Sequence, residues 1–338
     1  MKAALLEKEK SFKIINVPIP KIQPDEVLIE VRSVAICGSE IHAFFGKHPF
    51  RKAPVITGHE FSGIISEIGQ NVNNLKKGMR VTIEPQISCG KCFYCKSGKY
   101  NVCPDRISLG TKKWQGPFGN YIVSSANLVI PFSDKISFDT AALIEPLAVG
   151  VHALKIGEVK KGDNILILGA GMIGLSILMS AKFLGVTNVI ITDLYDYRLG
   201  IAKYFGAKEI LNSSEKDVKE ELFQNYKLGA DIVFIATGNK EAYMQSPLLC
   251  RRDGKMISVG LNTEPCIRPS DIGTAGCERK YFSSNAYIRD DFKTALELLE
   301  ENNIEKLISE IRPIEDIQNT FSEITSNPEK FIRVILKF

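Results

Sequence analysis

From about residue 160 to 260 the chain alternates short β-branched runs with helical stretches, and this alternation restricts its fold more than any other feature. In order come "DNILILG", "MIGLSILMSAKFLG", "NVIITD", "DYRLGIAKYFG", "AKEIL", "EKDVKEELFQNY", "ADIVFIATG" and "KMISVG". Short apolar strands separated by helices of about ten to fifteen residues are the pattern of an α/β domain, a parallel sheet wound with crossover helices. The uncharged run Asn164–Ala181 has the length of a membrane span, but glycines clustered at its centre read instead as a strand, a tight turn and a helix.

That turn, "GAGMIG", places Gly169, Gly171 and Gly174 directly after the strand ending at Leu168. Such glycines permit a tight turn, close approach of backbone N–H groups to a pyrophosphate, and close helix-to-strand packing, while the helix N-terminus attracts negative charge. The next strand ends in Asp193, nineteen residues past Gly174, where a carboxylate can accept hydrogen bonds from an adenosine ribose. It would repel a 2′-phosphate, which favours NAD over NADP; Arg198, five residues on, works against that preference. FAD and S-adenosylmethionine are the alternative occupants of such a turn. The expected cofactor-binding set is Gly169, Gly171, Met172, Ile173, Gly174, Asp193, Arg198, Thr237 and Val259.

The first 135 residues read differently. Half-buried strands ("EVLIEVRSVAI", "FSGIISEIG", "RVTIEP", "GNYIVSSANLVIPF") are separated by Pro, Gly and Asn turns, an all-β region with long loops. The tail returns to helices ("DDFKTALELLEENN", "IEDIQNTFSEIT") and closes on an apolar strand, "FIRVILKF", expected to rejoin the N-terminal region and make that domain discontinuous. A chain of 338 residues suits two such domains. A formal charge of +4 with no basic stripe speaks against nucleic acid and anionic membranes as partners. "MKAALLEKEK" does not read as a signal peptide, so the eight cysteines are expected to be reduced thiols or metal ligands in a cytoplasmic protein.

Four of those cysteines, Cys89, Cys92, Cys95 and Cys103, fall in "SCGKCFYCKSGKYNVC" with the form C-x2-C-x2-C-x7-C. Four thiolates fill the tetrahedral shell of a structural zinc and leave no position for substrate; an iron–sulfur centre is the competing reading. The charges around them (Lys91, Lys96, Lys99 and Arg106 against Asp105) are too few for a nucleic-acid face. A second, sparser set lies in "CGSEIH" and "GHEFSG", where Cys37, His59 and Glu60 offer a thiolate, an imidazole and a carboxylate. Such a mixed set can leave a position open for water or an alcohol. Glu145, in "ALIEPLAVGVHAL", stands at the break before a helix whose first turn suits Pro146, and can project into a cleft.

These segments, together and in this order, resemble the zinc-dependent medium-chain dehydrogenases, especially the branch containing sorbitol, galactitol-phosphate and threonine dehydrogenases. The resemblance rests on "CGSEIH", "GHEFSG", the four-cysteine lobe, "EPLAVGVHA" and "GAGMIG" followed by Asp193, and covers essentially the whole chain. It implies a GroES-like β-rich catalytic domain over residues 1–141, completed by 275–338, and a Rossmann NAD-binding domain over 142–274. It also implies two zinc ions per chain. Cys37 and His59 would bind the catalytic one, with Glu60 and Glu145 completing its shell directly, through water or by exchange. Ser39 would accept the substrate's hydroxyl proton and pass it, through the nicotinamide ribose, to His42. Glutamate at 145, where simple alcohol dehydrogenases usually have cysteine, looks like the polyol branch. The implied reaction is oxidation of a secondary hydroxyl of a polyol, cyclitol or sugar acid to a ketone, in a homodimer or homotetramer. Threonine dehydrogenase or simple alcohol dehydrogenase is the alternative within the enzyme class, and a catalytically silent zinc-binding scaffold outside it.

Two segments depart from the family's usual pattern. "WQGPFGNY" carries Trp114 and Phe118, and "KYFSSNAY" carries Ser283 where glycine is common; both are expected at the substrate pocket. His48 and Arg51, in "IHAFFGKHPFRKAP", could bind a carboxylate or phosphate, or simply be solvated. Cys250, Cys266 and Cys277 have no ligand spacing, and strands near "CIRPSDIGTAG" could pair between subunits.

Overall fold

The computed structural model describes residues 1–260 and 276–338. Two compact units emerge, Met1–Glu145 with Leu299–Phe338, and Pro146–Leu298.

The first unit is built on a seven-stranded sheet. Its path runs Val129–Pro131, Arg80–Ile83, Glu60–Ile68, Glu26–Ala35, Arg333–Lys337 and Ile308–Pro313, with Tyr121–Ser125 also pairing with Glu26–Ala35. A three-stranded sheet (Ser11–Asn16, Lys2–Lys8, Val55–Ile56) lies beside it in sequence. The tail strand Arg333–Lys337 pairs antiparallel with Glu26–Ala35, and Ala35 in turn stands opposite Glu60. Residues separated by almost the whole chain are thereby fixed in one register. Phe12, Phe44, Phe118 and Phe321 meet in the core with ring centroids 4.7–6.3 Å apart, so the C-terminal helix Ile317–Ser326 is anchored by aromatic contacts to the N-terminal strands.

The second unit carries a six-stranded sheet in the order Glu209–Asn212, Val189–Asp193, Ile165–Leu168, Ala230–Ile235, Cys250–Ser258, Lys280–Ser283, every pair parallel. By chain order this is 3-2-1-4-5-6, the doubly wound arrangement whose crevice opens where the order reverses. Ile165–Leu168 is buried along its whole length, as a central strand covered on both faces must be. The uncharged run expected to form a strand, turn and helix resolves into Ile165–Leu168 and Met172–Phe183. Among the described residues no helix is long and apolar enough to cross a membrane.

The chain returns to the first unit at Leu299, later than the expected 275, and leaves it at Glu145 rather than 141. The late return has a simple cause: "KYFS" is a sixth parallel strand on Cys250–Ser258, so the second unit needs it before the tail departs. Cys266 and the strands expected near "CIRPSDIGTAG" lie outside the described residues up to 275.

Candidate active site and metal centres

Cys37 sits immediately before the short helix Gly38–Phe44, which places Ser39, Glu40 and His42 within two turns of it. His59 enters from the residue before the strand Glu60–Ile68. The ligand atoms of Cys37, Glu40 and His59 lie within 4.8 Å of one another, and so do those of His59, Glu60 and Glu145. His59 is therefore the shared centre of two donor groups.

Its two ring nitrogens face different carboxylates. Nδ1 lies 2.9 Å from Glu40 Oε1, while Nε2 lies 3.9 Å from Glu145 Oε1. A zinc bound to nitrogen and oxygen at about 2.0–2.2 Å can span the second separation, whereas the first is a hydrogen bond. The imidazole pKa is raised well above its ordinary value: burial opposes this, but Glu40 on one side and Glu145 on the other outweigh burial and Arg51. Two carboxylates facing one buried ring favour positive charge at the centre of the site. With the Cys37 sulfur beside them, these donors fit a divalent ion of borderline softness such as zinc.

The carboxylates divide into distinct roles. Glu40, fully buried, is a hub: Oε1 meets His59 Nδ1, Thr57 Oγ1 at 3.4 Å and Arg51 Nε at 3.3 Å, while Oε2 accepts from Cys37 N at 3.2 Å and Ser39 Oγ at 3.4 Å. Burial alone would raise its pKa, but His59 and Arg51 bring it down to about 2. A carboxylate on the non-ligating nitrogen fixes the tautomer and orientation of a metal-binding histidine. Glu60 is gripped by Arg333 through both oxygens, so of the two carboxylates expected near the metal, Glu145 is the one facing His59 Nε2. Glu145 lies inside the first turn of the helix Ile144–Gly157, not at a break before it, and is buried. His42 shares the face of its helix with Ser39 three residues earlier; burial, and then Lys47, lower its pKa.

In the four-cysteine lobe the ligand sulfurs also lie within 4.8 Å of one another. Measured pairs are 3.5 Å (Cys92–Cys95) and 3.9 Å (Cys89–Cys95 and Cys92–Cys103). Four sulfurs at about 2.3 Å from one ion in a tetrahedron stand about 3.8 Å apart, so the lobe fits zinc closely. Backbone N–H groups of Lys91 and Cys92 hold the Cys89 thiol down to about 6.

In the second unit, Gly169 adopts φ +103°, and a Cβ on Gly174 would stand 1.8 Å from Gly169 O, so neither tolerates a side chain. At Gly171 no atom lies within 4 Å of a would-be Cβ, and the helix Met172–Phe183 begins there with no side-chain cap. That open cradle of backbone at a helix start fits a pyrophosphate. Asp193 ends its strand with Oδ2 accepting from Ala170 N at 2.7 Å and Oδ1 from Tyr195 N at 3.1 Å, and Arg198 Nη1 is 3.8 Å from Oδ2. Thr237 and Val259 follow the neighbouring strands: Thr237 packs 3.2 Å from the would-be Cβ of Gly169, and Val259 N donates to Ile235 O.

Several expectations require correction. Arg51 and His48 are neither solvated nor free for substrate: both are buried, 3.1 Å apart, with Arg51 paired to Glu40 and donating to Leu109 O. Phe118 is wholly buried in the aromatic core, so its side chain does not line a pocket; Trp114 is half-buried against that core, with Nε1 donating to Val123 O. Ser283 ends an exposed strand. Cys250, by contrast, is as its lack of ligand spacing suggests: it is buried, which pushes its thiol up to about 12 and leaves it inert. Glu40 and Arg333 were not among the expected site residues. Glu40 carries a local signal, a glutamate three residues after the residue preceding a helix, as in a capping box. Arg333 has none.

Comparison with known proteins agrees with this geometry. Residues 23–134 match the alcohol dehydrogenase GroES-like domain and residues 173–301 the zinc-binding dehydrogenase domain. Sorbitol dehydrogenase of Bacillus subtilis is 40% identical over 270 residues, 78% of this chain and 76% of the relative. D-arabitol-phosphate dehydrogenase of Enterococcus avium is 35% identical over 94% of each chain. Among solved structures, an alcohol dehydrogenase of Escherichia coli CFT073 complexed with NADH superposes with a TM-score of 0.92 at 30% identity, covering 100% of this chain and 99% of the other. The chain belongs to the zinc-dependent medium-chain dehydrogenase family, in its sorbitol-type branch, and is an oxidoreductase of the alcohol and polyol class.

Proposed function

We propose that this dehydrogenase oxidises a secondary hydroxyl of a polyol, cyclitol or sugar acid to a ketone, with hydride transfer to NAD, and carries two zinc ions per chain. The observation that carries the reading is His59 held between Glu40 and Glu145 beside Cys37. Cys37, His59 Nε2 and Glu145 would hold the catalytic ion, and Cys89, Cys92, Cys95 and Cys103 the structural one. When bound, zinc lowers the pKa of the substrate hydroxyl and NAD takes the hydride from the carbon that bears it.

The chain's own groups then manage orientation and protons. Glu40 fixes His59 so that Nε2 faces the ion. Ser39 Oγ accepts the hydroxyl proton as it gives up its own, which passes on to His42; His42, its pKa lowered by burial, then releases a proton to solvent. Gly171 leaves room for the pyrophosphate, and Asp193 accepts from the adenosine ribose; its charge opposes a 2′-phosphate, which supports NAD. Arg198, 3.8 Å from Asp193, supports some tolerance of NADP as a second reading. The sorbitol and arabitol-phosphate relatives favour a polyhydroxy substrate over threonine or a simple alcohol.

The test is NADH formation on a panel of polyols, cyclitols, sugar acids, sugar-alcohol phosphates, threonine and simple alcohols. Turnover should fall on one polyhydroxy class; turnover confined to threonine or simple alcohols would contradict the proposal.

A further inference from the structure

Behind the proposed metal site lies a buried cation that the reaction itself does not use. Arg51 is 7% exposed, with one terminal nitrogen hydrogen-bonded to the backbone and Nε at ion-pair distance from a buried carboxylate. Nε stands 3.3 Å from Glu40 Oε1, Nη1 is 3.1 Å from His48 Nε2, and Nη2 donates to Leu109 O at 3.1 Å. His48 Nδ1 accepts the backbone N–H groups of Phe50 and Arg51 at 3.1 and 3.0 Å, which folds the segment back and aims the guanidinium inward. This is a built arrangement of two side chains and three backbone groups, and among the described residues its ion-pair partner is Glu40.

The need for it follows from charge. Glu40 has no exposed surface, and a buried carboxylate is costly unless a cation pairs with it. His59 could serve while protonated, but a metal-ligating imidazole is neutral. Arg333 is committed to both oxygens of Glu60. Arg51 is then the cation in contact with Glu40 in the metal-bound protein, and an arginine stays charged across the whole working pH range.

We propose that Arg51 is a positioning residue for the catalytic metal: it holds Glu40 as an aimed carboxylate on His59 Nδ1, so that Nε2 is presented to the ion. This rests on the assignment of Cys37, His59 and Glu145 as the catalytic metal site. Lysine cannot reproduce the role fully, because a point charge lacks the planar fork that faces Glu40 and also donates to Leu109 O.

The experiment measures zinc affinity of the full-length holoprotein by competition with a chromogenic chelator, for wild type, Arg51→Met, Arg51→Lys, Glu40→Gln and the Arg51→Met/Glu40→Gln double variant. Loss of an outer partner of a metal-binding histidine typically weakens metal binding about 10–100-fold. Arg51→Met should therefore weaken one zinc by that factor and leave the four-cysteine zinc unchanged, with Arg51→Lys falling between it and wild type. The double variant should bind no more weakly than Glu40→Gln alone, because Arg51 acts through Glu40. Should Arg51→Met fail to fold, Arg51→Lys replaces it in the same cycle. Affinity within about twofold of wild type in the Arg51 variants, or additive losses in the double variant, would overturn the proposal. Cys37→Ser separates the two claims: retention of both zinc ions there would overturn the metal-site assignment itself.

Discussion

Arg333 closes a two-pronged hydrogen bond on Glu60 across 273 residues of sequence, Nε to Oε2 at 2.9 Å and Nη2 to Oε1, with both side chains buried. The pair ties the tail strand Arg333–Lys337 to the strand that begins at Glu60, next to the ligand His59. Burial opposes charge on Arg333, yet Glu60, Cys37 and Glu145 together raise its pKa.

Removing one partner of a buried ion pair leaves the other uncompensated, which costs about 3–5 kcal/mol. Glu60→Gln should therefore lower the urea unfolding free energy by that order. Glu145→Gln, which leaves the Arg333 fork intact, should cost about 1 kcal/mol or less while abolishing most turnover. Equal stability losses in the two variants would contradict the division of roles between these carboxylates.

The four-cysteine lobe makes a separate prediction. Its sulfur spacing of 3.5–3.9 Å suits one ion and leaves no donor for substrate. Cys92→Ser should lose one zinc, keep the other, and become sensitive to trypsin at Lys91, Lys96 and Lys99. Metal analysis and limited proteolysis on one sample check both points.

In the second unit Asp291 is fully buried, accepts from His152 Nδ1 and Ile288 N at 2.8 Å, and pairs with Lys155 at 2.6 Å. Burial would raise its pKa, but these partners lower it below the ordinary 3.8. A depressed folded pKa means stabilisation that is fully present above the unfolded value and disappears as pH falls through the folded one. Asp291→Asn should cost about 2–3 kcal/mol near neutral pH, with the gap from wild type shrinking only below about pH 4. A gap that stayed constant into strong acid would show that the charge is not what matters.

Asp193 controls cofactor choice in this account, with Arg198 already within 3.8 Å. Asp193→Ser should raise KM for NAD and shift the NAD-to-NADP preference by about tenfold or more, equivalent to about 1.4 kcal/mol. Steady-state kinetics with both cofactors would show it; an unchanged ratio would mean that the ribose is read elsewhere.

What was legible in the sequence was what local pattern encodes. β-branched runs marked the central parallel strands, glycine spacing marked the turn at Gly169–Gly174, and cysteine spacing marked the lobe, because each rests on residues a few positions apart. The strand Lys280–Ser283 was harder to place: its four residues are exposed, so no burial pattern announces it, and the expected domain boundary fell too early. The Glu60–Arg333 fork depends on strand register between opposite ends of the chain, which no local pattern carries. Arg51 departs from both sequence-based expectations for a related reason: nothing local shows that its buried partner is Glu40.

The most direct test of the whole account is zinc content and polyol-dependent NADH formation measured on the same preparations of wild type and Cys37→Ser. Wild type should hold two zinc ions and turn over, while Cys37→Ser should hold one, remain folded and show no turnover. A Cys37→Ser protein that kept both ions and its rate would contradict the catalytic site described here.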